Sequence, residues 1–405
     1  MNRYILRTVS SRERDTLCRR LAEAGVTGEG ISIMASKAEP VVIRVDRLGA
    51  AAANILKQQL LSLGGDAAVH RDVIKGGPEL STGYIIADER RMRALPDRLA
   101  SQPFGLAEVG TEITRLLDLK AHPPASIPLP DGSIDLSGGP VIMGILNVTP
   151  DSFSDGGRYL GPSEACDRAF RMAEQGAGII DIGGESSRPG AEELAAAEEL
   201  DRLIPVLEGL RGRLEVPVSV DTRKGAVARA AIAAGASILN DISGFTHDPD
   251  MVEAALGSGT AVVVMHMLGT PETMQVDPSY LDPAGEIVDW LGERAGELVA
   301  AGIDPRKIIV DPGIGFGKRL QDNLDIIDRA GDLHTLGMPV MMGFSRKSFI
   351  GTVTGREPGD RLPGGLAVLG CCLDAGIQLF RVHDVRETRD YIDMWKAIRR
   401  KDEAR

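Results

Sequence analysis

From position 141 onward the chain repeats one pattern: a short apolar run, a polar loop, then a stretch rich in Ala, Leu and Glu with helical spacing. Eight such runs fall at 141–146, 178–182, 216–220, 236–240, 260–266, 307–311, 338–343 and 377–382. Strands alternating with helices imply parallel pairing, because a parallel neighbour needs a crossover segment to bring the chain back. Eight units in about 260 residues predict an α/β fold, a closed (β/α)8 TIM barrel over 140–400. An open doubly wound sheet is the competing arrangement.

Upstream the pattern differs. Strands are predicted at Tyr4–Val9, Ile31–Ser36, Pro40–Val45, Ala67–His70 and Gly83–Ala87, and helices at Arg12–Ala24, Leu48–Leu63 and Arg90–Ser101. Residues 1–120 therefore read as a small α/β sandwich domain, and no chemical constellation is visible in it. Residues 121–139 form a boundary. Ala121–Pro130 is rich in proline, which resists helix and central strand alike. Apolar and polar positions alternate from Ile127 to Leu136 around Asp131-Gly132, which predicts a hairpin.

Charge supports the division. Residues 1–120 hold 18 Lys and Arg against 15 Asp and Glu, whereas the whole chain carries a formal net charge of −12. That balance gives no general attraction for nucleic acid or anionic lipid. No apolar run approaches the ~20 residues of a membrane span, and Met1–Arg14 lacks the apolar stretch of a secretory signal, so a cytoplasmic location is expected. Cys18, Cys166, Cys371 and Cys372 form no CxxC pair and are expected to be buried thiols. The six histidines give no zinc spacing, and His247 and His334 are expected on the surface.

In a (β/α)8 barrel the chemistry collects at the carboxyl ends of the strands. There the sequence places Asn147, Asp181, Asp221, Asn240 and Asp241, His266, Asp311, Ser345 with Arg346 and Lys347, and finally Arg381 and His383. Carboxylates with Lys347 beside them suit a flat heterocycle that presents both donors and acceptors. Arg381 and His383 sit two apart on one strand and point the same way, as a phosphate or pyrophosphate contact would require. A neutral ring bearing a phosphorylated arm is the ligand this implies.

Two loops, Asn147-Val-Thr-Pro-Asp-Ser-Phe-Ser-Asp-Gly-Gly157 and Gly183-Gly-Glu-Ser-Ser-Arg-Pro-Gly190, follow the first two strands. Their composition suits segments that close over substrate, with Phe153 as an aromatic lid and Arg188 as an anion contact. Gly313-Ile-Gly-Phe-Gly-Lys318 is not a Walker loop, because Arg319 stands where Ser or Thr would hold magnesium. Met265, Met267, Met341 and Met342 flank the strand ends as core filler or as walls for a flat ring, and sequence leaves that choice open.

These motifs, in this order, resemble dihydropteroate synthases. Ile142–Gly157 resembles the family's first motif and Asp181–Ala191 its second. Ser219-Val-Asp-Thr222, Asn240-Asp-Ile-Ser-Gly244, Val264-Met-His-Met267, Asp311–Lys318, Ser345-Arg-Lys347 and Arg381-Val-His-Asp384 continue the match over roughly 127–400. The resemblance implies an enzyme of folate biosynthesis, a transferase joining 6-hydroxymethyl-7,8-dihydropterin pyrophosphate to 4-aminobenzoate. It implies that Asp221, Asn240, Asp311 and Lys347 hold the pterin, that Asp181 lies over its reacting side, and that Arg381 and His383 bind pyrophosphate. Phe153, Ser187, Pro189 and Ser345 would line the aminobenzoate site, Asp155 and Arg188 would order the loops, and Asn147 would help hold Mg²⁺. A homodimer is also implied. Residues 1–120 have no counterpart in the minimal enzyme.

The chemistry implied is a dissociative substitution: pyrophosphate leaves early, a pterin-methylene cation is favoured by Asp181 and Asp311, and the neutral aromatic amine attacks without a strong general base. Two other readings stay open on sequence. One is a corrinoid methyltransferase sharing the pterin barrel, which would not need paired anion contacts on the last strand. The other is a pterin-binding paralogue without turnover.

Overall fold

The computed structural model describes residues 14–38, 40–149, 161–186, 190 and 193–399. The chain divides into two compact units, Met1–His122 and Pro123–Arg405.

The first unit carries an antiparallel sheet of β1 (Pro40–Leu48), β2 (Asp66–Ala68) and β3 (Ser81–Asp88), in the order β1-β3-β2. Alternation along the strands sends Val41, Ala67, Ile85 and Ala87 to one face. There they pack on Leu56 and Leu60 of the helix Ala50–Ser62, on Met92, Leu95 and Leu99 of Glu89–Leu99, and on Ile113 and Leu117 of Leu106–Ala121. Two sequence expectations fail here. Ile31–Ser36 is not a strand but part of a helix, Gly28–Ala35, whose first turn is capped by Thr27 Oγ1 accepting from Gly30 N at 3.3 Å. The Thr27 cap was the missed signal. The helix Leu106–Ala121 was also missed, although Leu106, Ile113 and Leu117 lie on one helical face. The predicted strand Tyr4–Val9 lies outside the described residues.

In the second unit, β4 (Ser126–Leu129) and β5 (Gly132–Asp135) form the predicted hairpin. Pro128 sits in β4 despite its missing N–H, which a two-stranded ribbon tolerates at its edges. Eight parallel strands follow: β6 (Val141–Asn147), β7 (Ile179–Gly183), β8 (Val218–Asp221), β9 (Ile238–Asp241), β10 (Ala261–Met265), β11 (Ile308–Asp311), β12 (Met341–Met342) and β13 (Leu379–Val382). Their order is β11-β10-β9-β8-β7-β6-β13-β12, and a parallel bridge from Val310 to Val340 joins the two ends into a (β/α)8 barrel.

The period of two along each strand sorts the side chains. Ile142, Leu146, Ile180, Val264, Val310 and Phe380 point outward and pack under the helices. Met143, Ile179, Ile238, Val263, Ile309, Met341 and Leu379 point inward. Ile127, Ile134 and Leu136 of the hairpin join that inner cluster, so the ribbon packs against the lower, amino-terminal end of the barrel interior. Each such buried side chain contributes about 1.5–3 kcal/mol relative to exposure. The barrel interior is thus apolar below, and polar side chains are left for the upper end. Among the described residues no helix is long and apolar enough to cross a membrane.

The cysteines differ from expectation at two positions: Cys166 and Cys372 are buried, but Cys18 is intermediate and Cys371 is exposed on the helix Leu362–Asp374.

Candidate active site

One step above the apolar floor, the same inward parity that buries Ile179 and Ile238 delivers Asp181, Ser219, Asn240, Asp311 and Arg381 into the barrel. Cross-strand register sets them in rows. Asn147 pairs with Gly183, Gly183 with Asp221, and Asp221 with Asn240, while Asp181 pairs with Ser219 one layer lower. Asp181, Ser219, Asn240 and Asp311 are all buried.

Arg381 ties the layer together. Its Nε donates to Asp181 Oδ2 at 2.6 Å and its Nη2 to Asp221 Oδ2 at 2.6 Å, reaching past β6 to β7 and β8. Asn240 Nδ2 donates to the same Asp181 oxygen at 3.2 Å. The other oxygen, Asp181 Oδ1, and the neighbouring Ser219 Oγ are buried without a hydrogen-bond partner among the described residues. Orphaned polar atoms in an interior are costly, and their presence marks a place where a polar ligand edge or water belongs. Gly343 leaves room at the centre: a Cβ there would stand 3.8 Å from both Arg381 Cβ and Asp311 Oδ2.

Electrostatics follow from this burial. Desolvation raises the Asp221 carboxyl, and Arg381 pulls it back down. Desolvation likewise raises Asp311, opposed first by Lys347. Lys347 is brought down to about 7 by burial, with Asp311 pulling upward and Arg381 adding to the lowering. Its ammonium donates to Ile314 O and lies 4.2 Å from the centre of the Phe316 ring. Just past the last strand, His383 N donates to Ser345 Oγ at 3.2 Å, and that oxygen lies 3.0 Å from His383 Nδ1. That contact sets the ring beside the segment carrying Lys347. Arg346, held at a left-handed φ of 59°, turns away to pair with Asp384.

The structure thus brings Asp181, Asp221, Asn240, Asp311 and Arg381 into the upper barrel interior, with Asn147 on β6 in the row of Asp221 and Asn240. Besides Arg346, two strand-end residues do not join them. Asp241 faces outward, where its carboxylate accepts from Ser243 N, Ser243 Oγ and Phe245 N to shape the following turn. His266 also faces outward, its ring edge-on to Trp290 at 5.0 Å, and burial lowers its pKa to about 3. Both were adjacent to an inward residue, and sequence alone cannot choose between such neighbours. Phe153, Asp155, Ser187, Arg188 and Pro189 lie outside the described residues.

The methionine question resolves by layer. Met265 and Met267 join Ile242 and Phe316 in a cluster at the mouth, whereas Met341 is in the floor and Met342 under the helices. Sequence reasoning also missed a buried ionic cluster beside Asp221. Lys224 bridges Glu199, at 2.7 Å, and Glu185, which Arg223 contacts at 2.8 Å. The pattern Asp-Thr-Arg-Lys after β8 was its only local signal.

A barrel whose upper interior offers buried carboxylates, an amide and an arginine is built for a small polar ligand, which defines the class. Residues 143–383 match the family described as pterin binding enzyme, and the chain belongs to that family. It is 46% identical over 256 residues to the dihydropteroate synthase of Escherichia coli, which covers 63% of this chain and 90% of that protein. It is 40% identical over 384 residues to a probable bifunctional folylpolyglutamate synthase/dihydropteroate synthase of Halobacterium salinarum, covering 94% of this chain. The chain spans only 45% of that relative's length. A match of 384 residues is longer than the unit Pro123–Arg405, so it takes in part of the first unit as well. A Burkholderia cenocepacia dihydropteroate synthase complexed with 7,8-dihydropteroate superposes with a TM-score of 0.63 at 39% identity, covering 70% of this chain and 99% of that one.

Proposed function

We propose that this chain joins 6-hydroxymethyl-7,8-dihydropterin pyrophosphate to 4-aminobenzoate, releasing pyrophosphate and 7,8-dihydropteroate, the reaction of a dihydropteroate synthase. The observation that carries this reading is the interior layer in which Asp181 Oδ1 and Ser219 Oγ lack partners while Asp221, Asn240, Asp311 and Lys347 converge above and beside them.

A pterin presents ring N–H and amino donors, for which Asp221 and Asp311 are acceptors, and ring nitrogen and carbonyl acceptors, for which Asn240 and Lys347 are donors. The diphosphate arm then points toward β13. Arg381 uses Nε and Nη2 on the two aspartates, and Nη1 remains for an anion; His383 lies two residues on, just past the end of the strand. The C–O bond breaks with its electron pair going to the diphosphate. Positive charge left on the pterin-methylene is favoured by Asp181 and Asp311 in a site of low dielectric. The aromatic amine forms the C–N bond and its proton passes to water. Phe153, Ser187, Pro189 and Ser345 are the residues we assign to the aminobenzoate, with Asp155 and Arg188 ordering the loops around it.

Mg²⁺ fits the residues present. Among the described residues no three or more His, Cys, Asp or Glu side chains are grouped to hold a metal. Mg²⁺ commonly takes one or two protein oxygens and completes its shell with substrate phosphate and water, and the Asn147 amide oxygen, in the row with Asp221, is such a donor. When bound, the ion would supply neutralisation of charge on the leaving diphosphate. We also read the chain as a cytoplasmic homodimer, on the family resemblance alone; sedimentation of the purified chain tests the dimer.

Incubating the chain with the pterin pyrophosphate, 4-aminobenzoate and Mg²⁺ and measuring released pyrophosphate and pteroate tests the reaction. Pterin binding with no product of either kind would overturn it.

A further inference from the structure

Lys318 is 3% exposed, and among the described residues no carboxylate lies within ion-pair distance of it. Its Nζ lies 2.9 Å from Phe316 O, 3.3 Å from His266 O and 3.0 Å from His266 Nδ1. Burying an amine without a counter-charge is expensive, and an apolar side chain would fill the same space without that cost. The amine is therefore retained for the bonds it makes.

Those bonds act on a glycine-rich turn, closed at Phe316 by its N–H donating to Gly313 O at 3.0 Å, whose Phe316 carbonyl points to Lys318. Gly313 and Gly317 both have left-handed φ, and a Cβ would stand 2.0 Å from His266 O at the first and 2.4 Å from Leu268 O at the second. The segment 313–317 thus lies backbone against backbone on 266–268, with glycines on either side of Phe316. Gly313 N is held by Asp311, Gly315 N by Asn323 and Gly317 O by Tyr280. The Phe316 carbonyl is held by Lys318. On the opposite side of the segment, Lys347 donates to Ile314 O and rests on the Phe316 ring.

We propose that Lys318 is a positioning residue of the pterin site, fixing Phe316 from within the barrel wall so that its ring holds the Lys347 ammonium against the ligand. This rests on the functional reading above. Burial holds the Lys318 amine well below its ordinary value, with Lys347 adding to the lowering, and His266 is neutral at ordinary pH. Three contacts suit either form: an ammonium has three N–H groups for the two carbonyls and the His266 Nδ1 lone pair, and a neutral amine has two for the carbonyls and a lone pair for a His266 Nδ1–H.

The test is steady-state kinetics on the full chain with each substrate varied, comparing wild type, Lys318→Met, Phe316→Leu and the double variant, with thermal denaturation alongside. Lys318→Met should raise KM for the pterin pyrophosphate about tenfold and change KM for 4-aminobenzoate less than about twofold. In the Phe316→Leu background it should add little, because both act through one contact. If Lys318→Met yields no folded protein, Lys318→Ala, which also removes the donor, carries the same comparison. A loss of Tm and of active fraction with both KM values unchanged would make Lys318 purely structural and overturn the proposal. So would full additivity with Phe316→Leu. A wild type that neither turns over nor binds the pterin overturns the functional reading, and this one with it, whereas an active wild type with an indifferent Lys318→Met overturns this one alone.

Discussion

Arg381 Nε stands 2.6 Å from Asp181 Oδ2, a contact between residues 200 positions apart that crosses the barrel interior. It makes the arginine both a candidate anion contact and the counter-ion of two buried carboxylates. Arg381→Ala should therefore do more than remove a ligand. Leaving Asp181 and Asp221 unpaired should destabilise the second unit by about 3–5 kcal/mol, and turnover should fall at least about a hundredfold. Denaturant unfolding and pyrophosphate release measure the two. Unchanged stability with lost activity would mean the ion pairs do not hold in solution.

Lys347 predicts a pH limb. Its ammonium is present below about 7 and lost above, so kcat/KM for the pterin substrate should decline as pH rises through that value. The groups facing it are Asp311, Arg381 and Asp221. Lys347→Met should remove the limb. Its effect on stability runs the other way: the unfolded lysine holds its proton up to about 10.5 and the folded one only to about 7, so this residue's contribution improves as pH rises between them. A pH profile of the wild type flat through 7 would contradict the assignment.

Ser219→Ala should leave the free protein as stable or more stable, by about 1 kcal/mol, because it deletes a buried hydroxyl that has no partner. Pterin affinity, measured by calorimetry, should fall in the same variant. A clear stability loss would show that the hydroxyl is bonded in the free protein.

Chelation of Mg²⁺ should stop turnover without unfolding the chain, since no carboxylate cluster among the described residues makes a structural metal site. Activity after addition of excess chelator reads the first half, and circular dichroism the second.

Removal of residues 1–122 should leave a folded barrel, because the two units have separate hydrophobic clusters. An insoluble product would show that the barrel needs the first unit.

Much of the site was legible because the barrel gathers strand ends, and each strand end is marked locally by an apolar run meeting a polar residue. Asp181, Asp221, Asn240, Asp311 and Arg381 were found that way. Asp241 and His266 carried the same mark and face the wrong way, since a shift of one position along a strand reverses the side chain. Ser219 and Phe316 were missed because a serine inside an apolar run and a phenylalanine among glycines look like packing. Ile31–Ser36 misled for a different reason: alternation over six residues fits a strand, and the cap at Thr27 outweighed it.

The sequence by itself determined the eight-fold alternation, the hairpin, the family and the set of residues available at the barrel mouth, because strand and helix periods and turn residues act over a few neighbouring positions. Only the tertiary structure decided which of two adjacent polar residues enters the barrel, that Arg381 spans 200 positions to Asp181 and 160 to Asp221, and that Lys318 lies behind Phe316. Those relationships depend on closure of the sheet and the register between strands, which bring distant segments together at separations no local pattern encodes.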